Sequence, residues 1–254
     1  MHITILGTGT STGVPQIGCT CPTCTSADPR DKRLRCSAIV EAEGKRILID
    51  CGPDFRQQML RTQFKPFDAV LITHEHYDHV GGLDDLRPYS IFGDVHIYAD
   101  ALSAKHLTER LPYCFIPKER RYPGVPALDL RVATPHVPIR VGGLEIIPLL
   151  VMHGKLPILG YRIGNMAYIT DMKTLPDEEL PLLRGIDTLV LNALRHEPHP
   201  THQTIEEAVA FARSLGSPET YLIHMSHHIQ PHAQEEALLP AGFHLAYDGL
   251  EFEC

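Results

Sequence analysis

The feature that most restricts what this chain can fold into is the run from Thr73 to His79, which reads Thr-His-Glu-His-Tyr-Asp-His. It directly follows the apolar segment Asp68–Ile72, which predicts a buried strand. Imidazole and carboxylate groups, which zinc, manganese and iron accept as ligands, recur within this run at His74, His76, Asp78 and His79. Because side chains alternate in extended backbone, His74 and His76 can face one metal ion, while Asp78 and His79 can bind a second.

Composition and charge limit the classes of partner. The chain has 254 residues, 43% hydrophobic and 21% charged, which is typical of a globular protein. Its net charge is −8, which disfavours broad binding to nucleic acid or to an anionic membrane. The most apolar stretch, Ile146–Met152, is too short to span a bilayer, and the N-terminus lacks the pattern of a signal peptide. We therefore expect one domain over residues 1–254, located in the cytoplasm.

Short β-branched runs bounded by Gly, Pro or Asp predict strands throughout the chain. They lie at Ile3–Leu6, Ala38–Glu41, Arg46–Asp50, Asp68–Ile72, Val95–Tyr98, Leu144–Val151, Ala167–Thr170, Thr188–Asn192, Thr220–Ile223 and His244–Tyr247. Helices are predicted at Asp54–Arg61, Ala101–Arg110, Asp177–Leu183, Thr204–Leu215 and His232–Leu238. The Pro-rich segment Pro112–Pro138 is expected to be a long irregular loop. The pattern indicates a mixed α/β fold rather than a regular βαβ array.

The cysteines form a second cluster. Three of the seven, Cys19, Cys21 and Cys24, have the spacing Cys-x-Cys-x-x-Cys. An odd total with three packed so closely does not indicate a disulfide framework and favours metal binding in a reducing compartment. Three thiolates need one more ligand to complete a tetrahedral zinc site. The alternatives are an unliganded reduced loop or an adventitious disulfide.

The histidine motif is similar to the signature of the metallo-β-lactamase superfamily, His-x-His-x-Asp-His. The resemblance extends to the segments LGTGTSTGVP, ILIDCGPD, AYITDM and YLIHMSHH. It implies an αββα four-layer sandwich with two divalent ions, zinc or manganese, at one edge of the sheets. The implied ligands are His74, His76 and His153 for one ion and Asp78, His79 and His224 for the other, with Asp171 between them. Asp171 stands where zinc β-lactamases typically carry Cys, so the resemblance favours a dinuclear hydrolase.

The cysteine loop together with the later His224-Met225-Ser226-His227 resembles the PhnP-like phosphodiesterases. That resemblance implies one structural zinc held by Cys19, Cys21, Cys24 and His227, with His228 as the competing fourth ligand. It also implies a homodimer. The implied reaction is hydrolysis of a small anionic substrate, a small or cyclic ribosyl phosphodiester, by a hydroxide that bridges the two metal ions.

Two acid–base roles accompany this reaction. Phosphodiester hydrolases of the superfamily place a histidine ahead of a helix to assist departure of the leaving oxygen, and motif alignment assigns this role to His202. A histidine with a near-neutral pKa suits such a role. His199 and His196 are weaker candidates, expected to be solvated. Asp78 is expected to act in catalysis as well as in metal binding, and Asp50 is interpreted as a carboxylate that orients ligands.

Three other functions stay open at this point. Processing of tRNA 3′ ends, as in tRNase Z, uses the same ligands, although this chain shows no long basic insertion that would grip tRNA. A role like that of PqqB, which also carries a cysteine-rich loop, is the second. Metal storage or sensing without catalysis is the third, and the pairing of ligands with carboxylates across several strands argues against it.

Overall fold

The computed structural model, which describes residues 1–216 and 218–254, places two seven-stranded sheets against each other. The strands are β1 (His2–Gly7), β2 (Ser37–Ala42), β3 (Lys45–Ile49), β4 (Ala69–Leu71), β5 (Val95–Ala99), β6 (Leu128–Val132), β7 (Ile139–Val141), β8 (Leu144–His153), β9 (Leu156–Ile163), β10 (Met166–Ile169), β11 (Thr188–Asn192), β12 (Glu219–Ile223), β13 (Phe243–Leu245) and β14 (Glu251–Glu253). The α-helices are α1 (Pro22–Thr25), α2 (Phe55–Met59), α3 (Tyr77–Val80), α4 (Ala101–Arg110), α5 (Ile205–Ser214) and α6 (His232–Glu236). Turns of 3₁₀ helix cover Pro29–Asp31, Leu83–Phe92, Pro112–Phe115, Lys118–Arg120 and Asp177–Leu183.

Each sheet combines antiparallel and parallel pairs. The first has the order β14-β1-β2-β3-β4-β5-β6 and the second the order β13-β12-β11-β10-β9-β8-β7. Strands β3 to β6 run parallel to one another, as do β10 to β13. The carboxyl ends of each parallel set therefore lie at one edge of its sheet.

Alternation along the strands divides the core into three layers. In β3, Ile47 and Ile49 face the opposite sheet, whereas Leu48 faces the outer helices. In β11, Val190 faces the opposite sheet, and Leu191 packs outward beneath Ala208 of α5. Because both faces of these strands are buried, Ile47–Ile49 and Leu189–Leu191 are consecutive apolar residues rather than alternating with polar ones. The predicted αββα four-layer sandwich is confirmed.

The predicted elements agree with the structure except in one loop, at three strands and at Asp177–Leu183, which forms a 3₁₀ rather than an α-helix. The segment Pro112–Pro138 is not an irregular loop throughout, because Leu128–Val132 forms the edge strand β6 beside β5. Strands β7, β9 and β14 were not predicted. No helix within the described residues is both long enough and apolar enough to cross a bilayer.

Candidate metal centres

Parallel strand ends bring the predicted ligands together. In the first sheet, β3 ends just before Asp50 and the adjacent β4 leads into the Thr73–His79 loop. In the second sheet, β10 ends just before Asp171, and β12 ends just before His224. Residues at the carboxyl ends of neighbouring parallel strands meet at a common edge, which explains how segments far apart in sequence share one site.

The backbone is strained at three of these positions. Asp50, Asp171 and His224 all lie in the left-handed region, with φ of 59°, 55° and 59°. Non-glycine residues rarely adopt this conformation, and each instance costs roughly 1–3 kcal/mol. The surrounding strands hold all three residues in place, and the three lie at the same sheet edge, so the strain is concentrated where the site is built.

The first group of donors contains His74, His76 and His153, whose ligand atoms lie within 4.8 Å of one another. The Nδ1 atom of His153 is 2.8 Å from the carbonyl oxygen of Asp171 and 3.1 Å from that of Thr201. Carbonyl oxygens only accept, so Nδ1 of His153 carries the proton and Nε2 presents a lone pair to the group. The buried Nε2 atom of His74 has no hydrogen-bond partner within residues 1–216 and 218–254.

The second group contains Asp78, His79, Asp171 and His224, which are all buried and lie within the same 4.8 Å limit. Nε2 of His79 is 3.2 Å from Oδ2 of Asp78 and 3.2 Å from Oδ2 of Asp171. Nε2 of His224 is 3.2 Å from Oδ1 of Asp171 and 3.6 Å from Oδ2 of Asp78. Donors bound tetrahedrally to zinc at its usual bond lengths are about 3.4 Å apart, so these spacings fit one metal ion.

The polar atoms left without partners support the same interpretation. Nε2 of His79 and both ring nitrogens of His224 are buried and lack hydrogen bonds to any part of the described chain. Leaving buried polar atoms unsatisfied costs about 1–3 kcal/mol each, and native proteins rarely tolerate several together. Cations would bind the Nε2 lone pairs of His79 and His224, so the residues present fit the divalent ions implied by the sequence resemblance.

Asp50 orients the ring of His79 in the second group through a hydrogen bond. Its Oδ2 accepts from Nδ1 of His79 at 2.7 Å and from the Thr73 hydroxyl at 2.9 Å, while its Oδ1 accepts the Thr73 backbone N–H at 2.8 Å. Because a carboxylate oxygen accepts, this contact favours the tautomer of His79 with its hydrogen on Nδ1, which leaves the lone pair of Nε2 for a metal ion. Although burial opposes the charged form, Asp78, Asp171 and Asp50 hold the pKa of His79 well above its ordinary value. A cation in place of that proton would satisfy the same carboxylates.

Two glycines let the histidine loop approach β3. A Cβ atom on Gly52 would lie 2.1 Å from the backbone oxygen of Asp78, and one on Gly82 would lie 2.1 Å from that of Gly52. A side chain at either position would collide with backbone, so close backbone approach requires glycine there.

The cysteine loop forms a separate third group. Cys19, Cys21, Cys24 and His227 place their ligand atoms within 4.8 Å of one another. Nδ1 of His227 is 3.2 Å from Sγ of Cys19 and 3.5 Å from Sγ of Cys21. Burial alone would raise the pKa of Cys21, but hydrogen bonds from the Cys24 backbone and from His227 lower it to about 6, which favours a thiolate. Of the two candidate histidines, His227 is the one that this group includes.

The loop that follows β11 carries the remaining histidines. His202 is buried, and its Nε2 atom is 3.0 Å from Oδ1 of Asp171, so it borders the second donor group. Burial lowers the pKa of His202 to about 4. His196 is partly exposed, and its ring bridges Glu206 at 2.6 Å and the buried Glu235 at 2.9 Å. His196 thus ties this loop to α5 and α6.

Sequence analysis missed several polar side chains that support the site. Thr73 contacts both Asp50 and His74, and Thr201 contacts both His199 and His202. Asn192 holds the loop after Asp171 through bonds to Met172 N and Met172 O, at 2.7 and 3.0 Å. The signal for Thr73 and Asn192 was available, since both lie at or directly after a predicted strand end. That for Thr201 was not, because its role depends on the fold of an irregular loop.

Comparison with known proteins places this architecture among characterised relatives. Residues 45–225 match the family model described as the beta-lactamase superfamily domain. A diphosphatase from the PhnP family is similar over 100% of this chain and 97% of its own chain, with 42% identity and a TM-score of 0.91. Zinc-bound PqqB from Methylobacterium extorquens covers 100% of both chains at 21% identity and a TM-score of 0.78, which indicates a shared fold.

A curated relative is longer than this chain. An octanoyltransferase of Porphyromonas gingivalis is 48% identical over 253 residues, which are 99% of this chain and 51% of that protein. The chain therefore spans about half the length of this relative, and its match does not by itself say which half performs the named activity.

Proposed function

The chain belongs to the beta-lactamase superfamily, and from that premise we propose that it is a metal-dependent hydrolase of small phosphodiesters or diphosphate esters. The observation that carries the proposal is the pair of adjacent donor groups, one of three histidines and one of two histidines with two carboxylates. His153 connects them, because its Nδ1 donates to the backbone oxygen of Asp171. Two neighbouring divalent sites of this composition suit hydrolysis at phosphorus.

Each part of the site has a defined task in this proposal. When bound, two divalent ions such as zinc or manganese make a bound water acidic and stabilise negative charge on the phosphoryl oxygens. His74, His76 and His153 would hold one ion, Asp78, His79 and His224 the other, and Asp171 would lie between them. Asp78 and Asp171 offset only part of the positive charge of two divalent ions, so the site would attract an anion within an acidic chain.

We propose that His202 assists the leaving group. Its Nε2 atom reaches the donor group at Asp171, while its ring is held by the loop between β11 and α5. We propose that Nε2 carries the proton or hydrogen bond offered to the departing oxygen. An alkoxide needs this help far more than a phosphate or an aryl oxide, because its conjugate acid is weaker.

Small substrates fit the remaining observations better than a polymer does. The similar PhnP-family protein is described as a diphosphatase and matches this chain over its whole length. Phosphodiesters and diphosphate esters present the same kind of substituted phosphorus and differ in the leaving group. The net charge of −8 gives no general attraction for tRNA. The cytoplasmic location stays a proposal that rests on the free cysteines of the metal-binding loop.

The test combines elemental analysis with a substrate panel. Protein loaded with zinc or manganese is assayed on an aryl phosphodiester, a cyclic ribose phosphate, a nucleoside diphosphate ester and an unprocessed tRNA. We expect turnover of small esters, and we expect it to be abolished in His76→Ala and Asp78→Ala. His96→Ala, which removes a histidine of β5 paired with Asp129 of the edge strand β6, is the matched control and should keep wild-type activity. Metal-loaded protein that cleaves no small ester, or variants with full turnover, would contradict the proposal.

A further inference from the structure

One donor of the three-histidine group lies on an exposed part of its loop. His76 is exposed, whereas His74 and His153 of the same group are buried. Tyr77, the next residue along the chain, is 68% exposed. An exposed segment keeps more conformational freedom than a buried one, and ordering it when an ion binds costs free energy. A ligand in this position therefore needs a neighbour that holds the backbone in place.

The residue directly before His76 is buried and is tied to helix α4. Glu75 is 8% exposed. Its Oε1 accepts from Nδ1 of His106 at 3.2 Å, its backbone oxygen accepts from Nη1 of Arg110 at 2.7 Å, and its Oε2 lies 3.3 Å from the Ser103 hydroxyl. The three partners recur at spacings of three and four residues, so they lie on one face of α4. One face of this helix thus contacts both the side chain and the backbone of Glu75.

The second half of the loop has a different anchor. The backbone N–H of Cys51 donates to the backbone oxygen of His79 at 2.8 Å, and Nδ1 of His79 bonds to Asp50 at 2.7 Å. These contacts fix the end of the loop to the segment that follows β3. Because Glu75 fixes the beginning of the loop to α4 instead, a change at Glu75 should act mainly on the three-histidine group.

We propose that Glu75 is a positioning residue for the three-histidine group: its contacts with α4 hold the backbone between His74 and His76 and so set the separation of their rings. The two ring centroids are 4.5 Å apart. This inference rests on the proposed function, because it assigns a metal ion to that group. Ligands that are held in place before the ion arrives bind it more tightly, since less freedom is lost on binding.

Two substitutions at Glu75 separate hydrogen bonding from charge. Glu75→Ala removes the side-chain contacts, whereas in Glu75→Gln the amide oxygen can accept from His106 and the NH₂ group can donate to Ser103. We expect Glu75→Ala to weaken binding at the three-histidine group by about 10-fold, the lower end of the effect of losing a residue that supports metal ligands. Glu75→Gln should bind close to wild type. Glu109→Ala is the matched control, because Glu109 is an exposed residue of α4 paired with Lys105.

Cadmium-113 NMR with chelator competition follows each bound ion separately and needs no substrate. A cadmium ion held by sulfur resonates far from one held by nitrogen and oxygen, and loss of a signal in His76→Ala assigns the ion of the three-histidine group. In Glu75→Ala we expect that signal to disappear at a lower chelator concentration, while the sulfur-ligated signal is unchanged. Unchanged affinity, an equal weakening of every site, or a loss in Glu75→Gln as large as in Glu75→Ala would each contradict the proposal.

A double-mutant cycle tests whether Glu75 acts through α4. His106→Ala should weaken the same ion, and it should add little in a Glu75→Ala background, because its partner is already gone. Fully additive losses would overturn the inference. Protein that binds no ion at the three-histidine group would reject both this inference and the proposed function. The expected response to Glu75→Ala in a protein that cleaves no small ester would reject the proposed function and leave the role of Glu75 established.

Discussion

At the scale of single residues, Asp50 determines which nitrogen of His79 is available to a metal ion. In Asp50→Asn, the amide NH₂ would replace the oxygen that accepts from Nδ1 of His79. Two donors would then face each other, and His79 would relieve the clash by moving its proton to Nε2, the atom proposed to bind the metal ion. We expect metal affinity to fall about 10- to 100-fold, the usual effect of losing such a partner.

A competition titration with a chromophoric chelator measures the affinity of Asp50→Asn directly. Asp94→Asn is the matched control, because Asp94 is a surface carboxylate paired with Arg121 and remote from the ligands. Equal affinities for wild type and Asp50→Asn would show that the His79 tautomer does not depend on Asp50.

His232 makes the stability of the fold depend on pH. Its Nδ1 atom is 3.1 Å from a guanidinium nitrogen of the buried Arg33, and a guanidinium can only donate. The imidazole must therefore be neutral, and burial followed by the charge of Arg33 lowers its pKa to about 4. In the unfolded chain the pKa returns to about 6.5, so the unfolded state binds more protons between these values. The contribution of His232 to the free energy of unfolding is therefore fully present above pH 6.5 and is lost as the pH falls toward 4.

The variant His232→Asn retains an acceptor near Nδ1 but cannot be protonated. We expect wild-type protein to lose about 1–3 kcal/mol of unfolding free energy through this group between pH 6.5 and pH 4, and the variant to lack that component. Urea denaturation at several pH values measures both curves. If the free energy of unfolding changed with pH in the same way in both proteins, His232 would not be the source of the pH dependence.

At the scale of secondary-structure elements, the capping box of α5 sets where the His202 loop ends. The Thr204 hydroxyl accepts from the backbone of Glu207, and the Glu207 carboxylate accepts from the backbone of Thr204. We expect Thr204→Ala to lower the unfolding free energy by about 1 kcal/mol, a typical cost for losing an N-cap. Thr108→Ala is the control, since the exposed hydroxyl of Thr108 donates to the Lys105 carbonyl oxygen of its own helix. Urea denaturation should leave the control within about 0.5 kcal/mol of wild type.

Elements with strong local signals could be predicted from sequence, and elements defined by pairing could not. Helix α4 and strand β11 have the predicted bounds, because a capping Asp100 and a continuous apolar run mark them. Strand β9 was missed because Pro157 and Gly160 interrupt its pattern, although it pairs with β8 along its whole length of eight residues. Strand β6 is half exposed at the sheet edge, so its sequence lacks a buried pattern.

The candidate site was easier to predict than the sheet edges. The compact motif from His74 to His79 carries its own spacing signal, whereas His153, Asp171 and His224 could be assigned only through the family resemblance. No local rule identifies a lone histidine at a strand end as a ligand. Their convergence depends on the order of parallel strands, which is a property of the whole sandwich.

At the scale of the whole molecule, the donor groups join segments that are distant in sequence. The dinuclear candidate links the loop after β4 in the first sheet to Asp171 and His224 in the second. The cysteine group links the loop of residues 19–24 to His227. Bound ions would therefore restrain the sandwich at two places, and ions that bind only the folded state stabilise it by mass action.

Removal of metal should consequently lower thermal stability in two separable steps. At a free metal concentration of about 100 times Kd, each site contributes roughly 2.7 kcal/mol, and 1 kcal/mol corresponds to about 2–4 °C in a chain of this size. We expect chelator treatment to lower the Tm of wild type by several degrees per site, and zinc to restore it. Cys21→Ser should remove the part of the chelator response that belongs to the cysteine group, and Asp78→Asn should reduce the part that belongs to the dinuclear candidate, so the double variant should show the smallest response. Differential scanning calorimetry with parallel zinc analysis makes the measurement, and an unchanged Tm in protein verified to have lost its metal would show that the donor groups are stable without ions.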